Sequence, residues 1–120
     1  ADVLTFISPL WWSGFPAMLK GYLDRVFSAG FDYVIKGEEY LPGLSGKKGV
    51  IITTCGATTE ELKGGGTLRA LRIIHDQGLL EFCGIEMLRH LYLDGIVPAM
   101  SRSEGEQRLE AVRRFVRRAF

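Results

Sequence analysis

An α/β domain on a parallel sheet is the fold class predicted, and three observations predict it. Short apolar runs at Asp2–Ser8 and Gly49–Thr54 are too brief for helices and carry hydrophobic residues on both faces, the pattern of interior parallel strands. Between and after them apolar residues recur at helical spacing. The resulting order, β-α-β-α-β-α, argues for right-handed crossovers and a sheet covered on both sides.

Each element follows from local chemistry. "DVLTFIS" is apolar on both faces apart from Thr5. The loop "PLWWSGF" follows, and from Pro16 the period changes: Met18, Leu19, Tyr22, Leu23, Val26 and Phe27 lie on one helical face, with Pro16 suited to the start and Gly30 to the end. Phe31–Lys48 carries Gly37, Pro42, Gly43 and Gly46 and reads as a long surface excursion. "GVIITT" is the second strand and "CGATTEELKGGG" the loop after it. A helix is predicted from about Thr67 to Phe82, and "IEMLRHLYLDGI" supplies a third strand. The last segment pairs Ser103 with Glu106 at capping-box spacing and continues with Leu109, Val112, Val116 and Ala119 along one side. Three strands make a thin sheet, and the first is too apolar for an open edge, so further strands are expected upstream of Ala1.

Composition narrows the function classes. With 15 basic and 14 acidic side chains the net charge is +1, which provides no general attraction to nucleic acid or acidic membranes. No apolar stretch is long enough to cross a bilayer. Cys55 and Cys83 are too few and too far apart for a disulfide framework or a CxxC site, so a reducing cytoplasm is the default. Cys55 is expected to be a small, buried, inert thiol and Cys83 a core residue. His75 and His90 have no ligand partner at motif spacing, and no metal is expected. Arg113, Arg114, Arg117 and Arg118, beside Leu109, Val112, Val116 and Phe120, read as the wet face of a terminal helix, not as a nucleic-acid patch.

Ligands of open α/β sheets bind beyond the carboxyl ends of the strands. The loops that collect there, Pro9–Phe15, Cys55–Gly66 and Gly95–Arg102, are the segments of unusual composition. The first offers the aromatic faces of Trp11 and Trp12; the second offers Thr53, Thr54 and Gly56, whose small side chains let a ligand edge meet backbone. Together they suit a planar heteroaromatic ligand. Neither a P-loop nor a GxGxxG is present to hold a nucleotide phosphate.

"SPLWWSGFPAMLKGYLDRVFSAGFDY" resembles the signature of the flavodoxin-like NAD(P)H quinone reductases, the group that includes DT-diaphorase and bacterial quinone and drug reductases. Pro9, Leu10, Trp12, Gly14, Pro16, Leu19, Lys20, Gly21, Asp24, Arg25, Val26 and Phe27 match it. "GKKGVIITT" and "GLLEFCGIEML" resemble the family's following segments. The resemblance implies a single flavodoxin-like domain over residues 1–120, a three-layer sandwich represented by its strand 3 to helix 5 portion and lacking the first βαβα with the flavin-phosphate loop. It implies a flavin, FAD or FMN, whose ring lies against Pro9, Leu10, Trp11 and Trp12 on one side and meets Thr53, Thr54, Cys55 and Gly56 at its edge. It further implies NAD(P)H as co-substrate, hydride transfer to a quinone-type acceptor by a ping-pong cycle, and a homodimer whose substrate pocket includes Trp12 and Tyr33.

Departures from the pattern matter. Cys55 stands where the family has a glycine, and a second aromatic near Tyr33 is replaced by Ile35. The tyrosine and histidine that some members place after the Thr-Thr pair have no counterpart in that loop. The alternative reading is a non-catalytic flavodoxin-like module serving in regulation or assembly, or an inactive fragment of the reductase.

Overall fold

A computed structural model describes residues 1–119; Phe120, grouped above with the terminal helix, lies outside the described residues. Its main sheet has three parallel strands, β1 (Val3–Pro9), β4 (Lys48–Thr54) and β5 (Glu86–Leu93), in the order β1-β4-β5. The central strand is β4, and Val50, Ile51, Ile52 and Thr53 are all buried, as a run apolar on both faces requires. β1 occupies an edge, and there Ile7 is 68% exposed.

Each face has its own core. Val50, Ile52 and Leu93 pack with Ala111, Val112 and Phe115 of α4 (Arg102–Ala119). Ile51, Leu80 and Ile85 form the opposite core with Leu4, Phe6, Phe15, Phe27, Leu44 and Met87. Phe15 and Phe27 flank α1 (Ala17–Val26) and dock it, while Leu23 is buried within it. The terminal helix does not bury the side expected: Leu109 and Val116 are exposed and Phe115 takes their place against the sheet. Its capping box is also two residues earlier. Ser101 and Glu104 exchange the bonds, Ser101 N–H to Glu104 at 2.8 Å and Glu104 N–H to Ser101 Oγ at 3.3 Å, so Ser103 and Glu106 belong to the helix itself.

Two further segments differ from expectation. Phe31–Lys48 is largely exposed, as a surface excursion is, but it is ordered into an antiparallel hairpin of β2 (Tyr33–Lys36) and β3 (Glu39–Pro42), which was not expected. Gly43 N–H donates to the Asp32 carbonyl at 2.6 Å and Leu44 N–H to the Cys83 carbonyl at 3.0 Å, fastening the hairpin to the start of β5. Asp32 is buried beneath it and accepts the Cys83 thiol at 3.3 Å; burial, with that bond, pushes the thiol up to about 12. The "CGATTEELKGGG" loop contains a short helix, α2 (Thr59–Gly64), started by a capping box of Thr58 and Glu61. The predicted helix from Thr67 starts there as α3 (Thr67–Leu71), but from Arg72 to Glu81 its winding is π, a rare geometry that recurs at functional sites.

One irregularity decides what meets what. A bulge between Gly49 and Val50 pairs Gly49 with Met87 but Val50 with Arg89, leaving Leu88 as the extra residue. Every side chain of β5 after it changes face relative to regular pairing. His90 and Tyr92 therefore sit beside Ile51 and Thr53, under the π-wound segment, while Arg89 and Leu91 face α4.

Candidate functional site

The Trp-Trp stretch forms a tight turn. Trp11 and Gly14 exchange backbone hydrogen bonds of 3.0 Å in both directions, and the two residues between them, Trp12 and Ser13, have φ of 50° and 59°. Such a turn needs positive φ at both central positions and ordinarily recruits Gly, Asn or Asp there. Tryptophan and serine instead carry a cost on the order of 1 kcal/mol each. The turn projects Trp12 fully into solvent, at 102% relative exposure, with Trp11 at 60%. A tryptophan held out at backbone cost is poorly explained by packing and well explained by contact with something else.

Other residues of the predicted ring site divide into two groups. Pro9 pairs with Thr54 in the sheet, and Leu10 N–H donates to the Thr54 carbonyl at 2.7 Å, so the base of the turn is bonded to the end of β4. Gly56 leaves open space above it, since a Cβ there would meet only the Ile96 carbonyl oxygen, at 3.7 Å. Thr54 lines an apolar groove of about 610 Å³ with Leu93, Ile96, Met100 and Leu109 among its walls, a volume in the range of small-molecule sites. Pro9, Leu10, Trp11, Trp12, Thr54 and Gly56 thus gather at the carboxyl end of the sheet.

Thr53 and Cys55 are turned away. The Thr53 side chain is buried, its hydroxyl 2.9 Å from His90 Nε2. Cys55 packs with Leu62 and Leu68, its N–H donates to the Leu93 carbonyl, and burial raises its thiol above the usual range, which is the inert thiol expected. Tyr33 does not share a pocket with Trp12 within one copy. It stacks on Tyr40 at 5.0 Å beside Phe82, at the amino-terminal end of β5, roughly 20 Å from the Trp turn by the length of a seven-residue strand.

A polar group missed by sequence reasoning lies beneath the turn. Asp76 of the π-wound segment is 2.6 Å from His90 Nδ1, His90 Nε2 is 2.9 Å from Thr53, and Tyr92 stacks on the His90 ring at 4.0 Å. Burial, and then Asp76, raise the Tyr92 phenol. Next to it His75 is buried and stacked on Phe15 at 4.1 Å. No spacing rule links positions 53, 76 and 90; the bulge and the winding bring them together. At the same end Asp94 accepts from Thr59 N–H at 2.8 Å and its hydroxyl at 2.7 Å and pairs with Arg108 at 3.3 Å; the Thr59 bonds hold its carboxyl below the usual range and tie β5 to α2 and α4.

His75 gives a first prediction. Burial, and then His90, hold its imidazole below its ordinary value of 6.5, so the unfolded chain binds the proton more tightly than the folded one. Stability is then complete above that value and falls as pH drops below it. The urea midpoint is expected to decline between pH 7.5 and 5.5, before carboxylates titrate below about pH 5, and His75→Phe to flatten the decline. An unchanged slope in that variant would assign it elsewhere.

Among known proteins, the family described as having a flavodoxin-like fold matches residues 1–118. An uncharacterized NAD(P)H oxidoreductase of Haemophilus influenzae is 43% identical over 86 residues, 72% of this chain and 43% of that one. NAD(P)H dehydrogenase [quinone] 1 of Cavia porcellus is 36% identical over 99 residues, 80% of this chain and 36% of that protein. The chain thus spans less than half the length of these relatives. The structure of an NAD(P)H:quinone oxidoreductase from Methanothermobacter marburgensis superposes with a TM-score of 0.79 at 33% identity, over 94% of this chain and 56% of the other. With a parallel α/β sheet, an exposed Trp-bearing turn at its carboxyl end and a family match over nearly every residue, this chain belongs to the flavodoxin-like fold family.

Proposed function

We propose that the chain forms the ring-binding portion of a flavin-dependent NAD(P)H:quinone oxidoreductase. The observation that carries the reading is Trp12, fully exposed on a strained turn bonded to the end of β4. The residues present fit a flavin ring: Trp12 and Trp11 supply a flat apolar face, Gly56 an approach without a side chain, and the groove beside Thr54 adjoining apolar volume. Relatives named as quinone reductases support the same reading.

A bound flavin supplies the chemistry of accepting a hydride from NAD(P)H and passing it to the acceptor, so that NAD(P)H, a proton and a quinone become NAD(P)⁺ and a hydroquinone. The protein's part would be orientation: Trp11 and Trp12 of the turn would hold the face of the ring, and the end of β4 its edge. Because Tyr33 lies at the far end of the sheet, a pocket using both Trp12 and Tyr33 takes them from two copies, in keeping with a homodimer. Among the described residues no helix is long and apolar enough to cross a membrane.

The test is the visible spectrum of the purified chain before and after FMN or FAD is added. Uptake of the yellow chromophore, bleached by NADH or NADPH and restored by a quinone, is the expected result. A chain that retains neither flavin would overturn the reading in favour of the non-catalytic module or of an inactive fragment of the reductase.

A further inference from the structure

We infer that His75 and Asp76, neighbours in the π-wound segment, hold the Trp11–Trp12 turn in place from its two ends, His75 through the ring of Phe15 and Asp76 through His90 and Thr53. The residues are positioning residues; none of them faces the proposed ring.

At one end the chain of bonds is continuous. An Asp76 carboxylate only accepts, so the proton between the two groups belongs to His90 Nδ1, at 2.6 Å. Nε2 is then the free acceptor, and the Thr53 hydroxyl donates to it at 2.9 Å. Thr53 is thereby fixed in one rotamer, and the carbonyl of the next residue, Thr54, receives Leu10 N–H at 2.7 Å, the bond that roots the Trp turn. The His90 side chain is 2% exposed and that of Asp76 15%, so water competes little for these bonds. On the same face Ser8, the register partner of Thr53, has a buried Oγ with no hydrogen-bond partner among the described residues. It is a donor in the row where the Thr53 oxygen, its own proton committed to His90, has acceptor capacity left.

At the other end Phe15, which closes the loop, stacks on His75 with the rings 21° apart. Between the two anchors lie Trp12 and Ser13 in the left-handed region. Backbone of that kind persists only where its surroundings over-determine it, and these anchors are such surroundings. Stability alone does not call for them. Well-packed apolar residues often serve a core as well as buried polar groups do, so the polar chain is better explained by the geometry it specifies.

Anchoring can be measured without ligand, on the full chain, by amide hydrogen exchange at Leu10 against Ile52 in the middle of β4. Thr53→Val and Asp76→Ala are expected to speed exchange at Leu10 about tenfold more than at Ile52, and Thr53→Ser to restore it. His75→Ala is expected to speed exchange at Gly14, whose N–H bonds the Trp11 carbonyl across the turn at 3.0 Å, and His75→Phe to slow it again. Acceleration at Leu10 and Ile52 in step would mean general loosening and would overturn the proposal, as would no acceleration at all. Should a variant not fold, ¹⁵N spectra of the unaltered protein decide the donor order: His90 protonated at Nδ1 and bare at Nε2 is expected, and a proton on Nε2 overturns it. The consequence for ligand binding rests on the flavin reading. Folded variants with a loosened turn are expected to bind FMN about tenfold more weakly, and undiminished binding would overturn the positioning role. If the unaltered chain takes up no FMN, the flavin reading fails while the exchange comparison still decides the anchoring.

Discussion

Trp12→Gly is expected to leave stability unchanged or raise it by up to about 1 kcal/mol while lowering FMN affinity by one to two orders of magnitude. Glycine takes positive φ without the Cβ penalty of about 1–2 kcal/mol, set against about 0.5–1 kcal/mol for its greater freedom when unfolded. The indole of Trp12 is fully exposed, so its removal opens no cavity. Stacking of an aromatic side chain on a planar heterocycle is worth about 1–3 kcal/mol, and that contribution would go with it. Trp11→Ala, at a less exposed position, is expected to have the smaller effect on affinity. Urea denaturation and fluorescence titration with FMN measure the two quantities on the same samples. A marked loss of stability would show that Trp12 packs against its own chain, and unchanged affinity would remove it from the ring site.

The second large effect concerns the hairpin. A Cβ on Gly43 would lie against the Phe31 carbonyl oxygen inside any allowed carbon–oxygen separation, and 2.8 Å from the Asp32 carbonyl carbon. Both are backbone atoms, so no side chain can swing aside. The same glycine donates the 2.6 Å bond to Asp32. Gly43→Ala is accordingly expected to cost about 3 kcal/mol or more and to lower Tm by roughly 10 °C. It would also free Tyr33 and Tyr40 from Phe82, visible as a loss of near-ultraviolet circular dichroism. Gly37→Ala is the contrast. It sits at positive φ of 65° with open space around it, so only backbone strain, on the order of 1 kcal/mol, should appear. Equal losses in the two variants would contradict the close approach.

How far the sequence could be read depends on which interactions are local. The three parallel strands, the helix after Pro16 and the terminal helix follow from periodicity and punctuation, and they stand where expected. So do Cys55 and Cys83, both buried as small apolar side chains are. The hairpin was masked because Gly37, Pro42, Gly43 and Gly46 are punctuation for a loop and for a hairpin alike; only the docking of Asp32 and Leu44 against the β5 start tells them apart. The capping box slipped by two because "SRSEGE" offers two Ser-x-x-Glu frames. The apolar face of the last helix shifted because Leu109 and Val116 stay exposed, whereas Phe115 reaches the sheet.

At the candidate site, residues adjacent in the chain were legible and residues joined only in space were not. By itself the sequence determined that β4 is buried on both faces, that a Trp-bearing loop lies at the carboxyl end of the sheet, and that this loop meets the Thr54 end, because alternation and strand-loop-helix order are properties of neighbouring residues. Only the tertiary structure decided that Thr53 looks inward, that Trp12 stands out on positive φ, and that Asp76 reaches His90. The physical reason is the extra residue opposite Gly49 and Val50: one position of register turns His90 and Tyr92 from the α4 face to the face of Thr53, and pairing register is a property of two strands together.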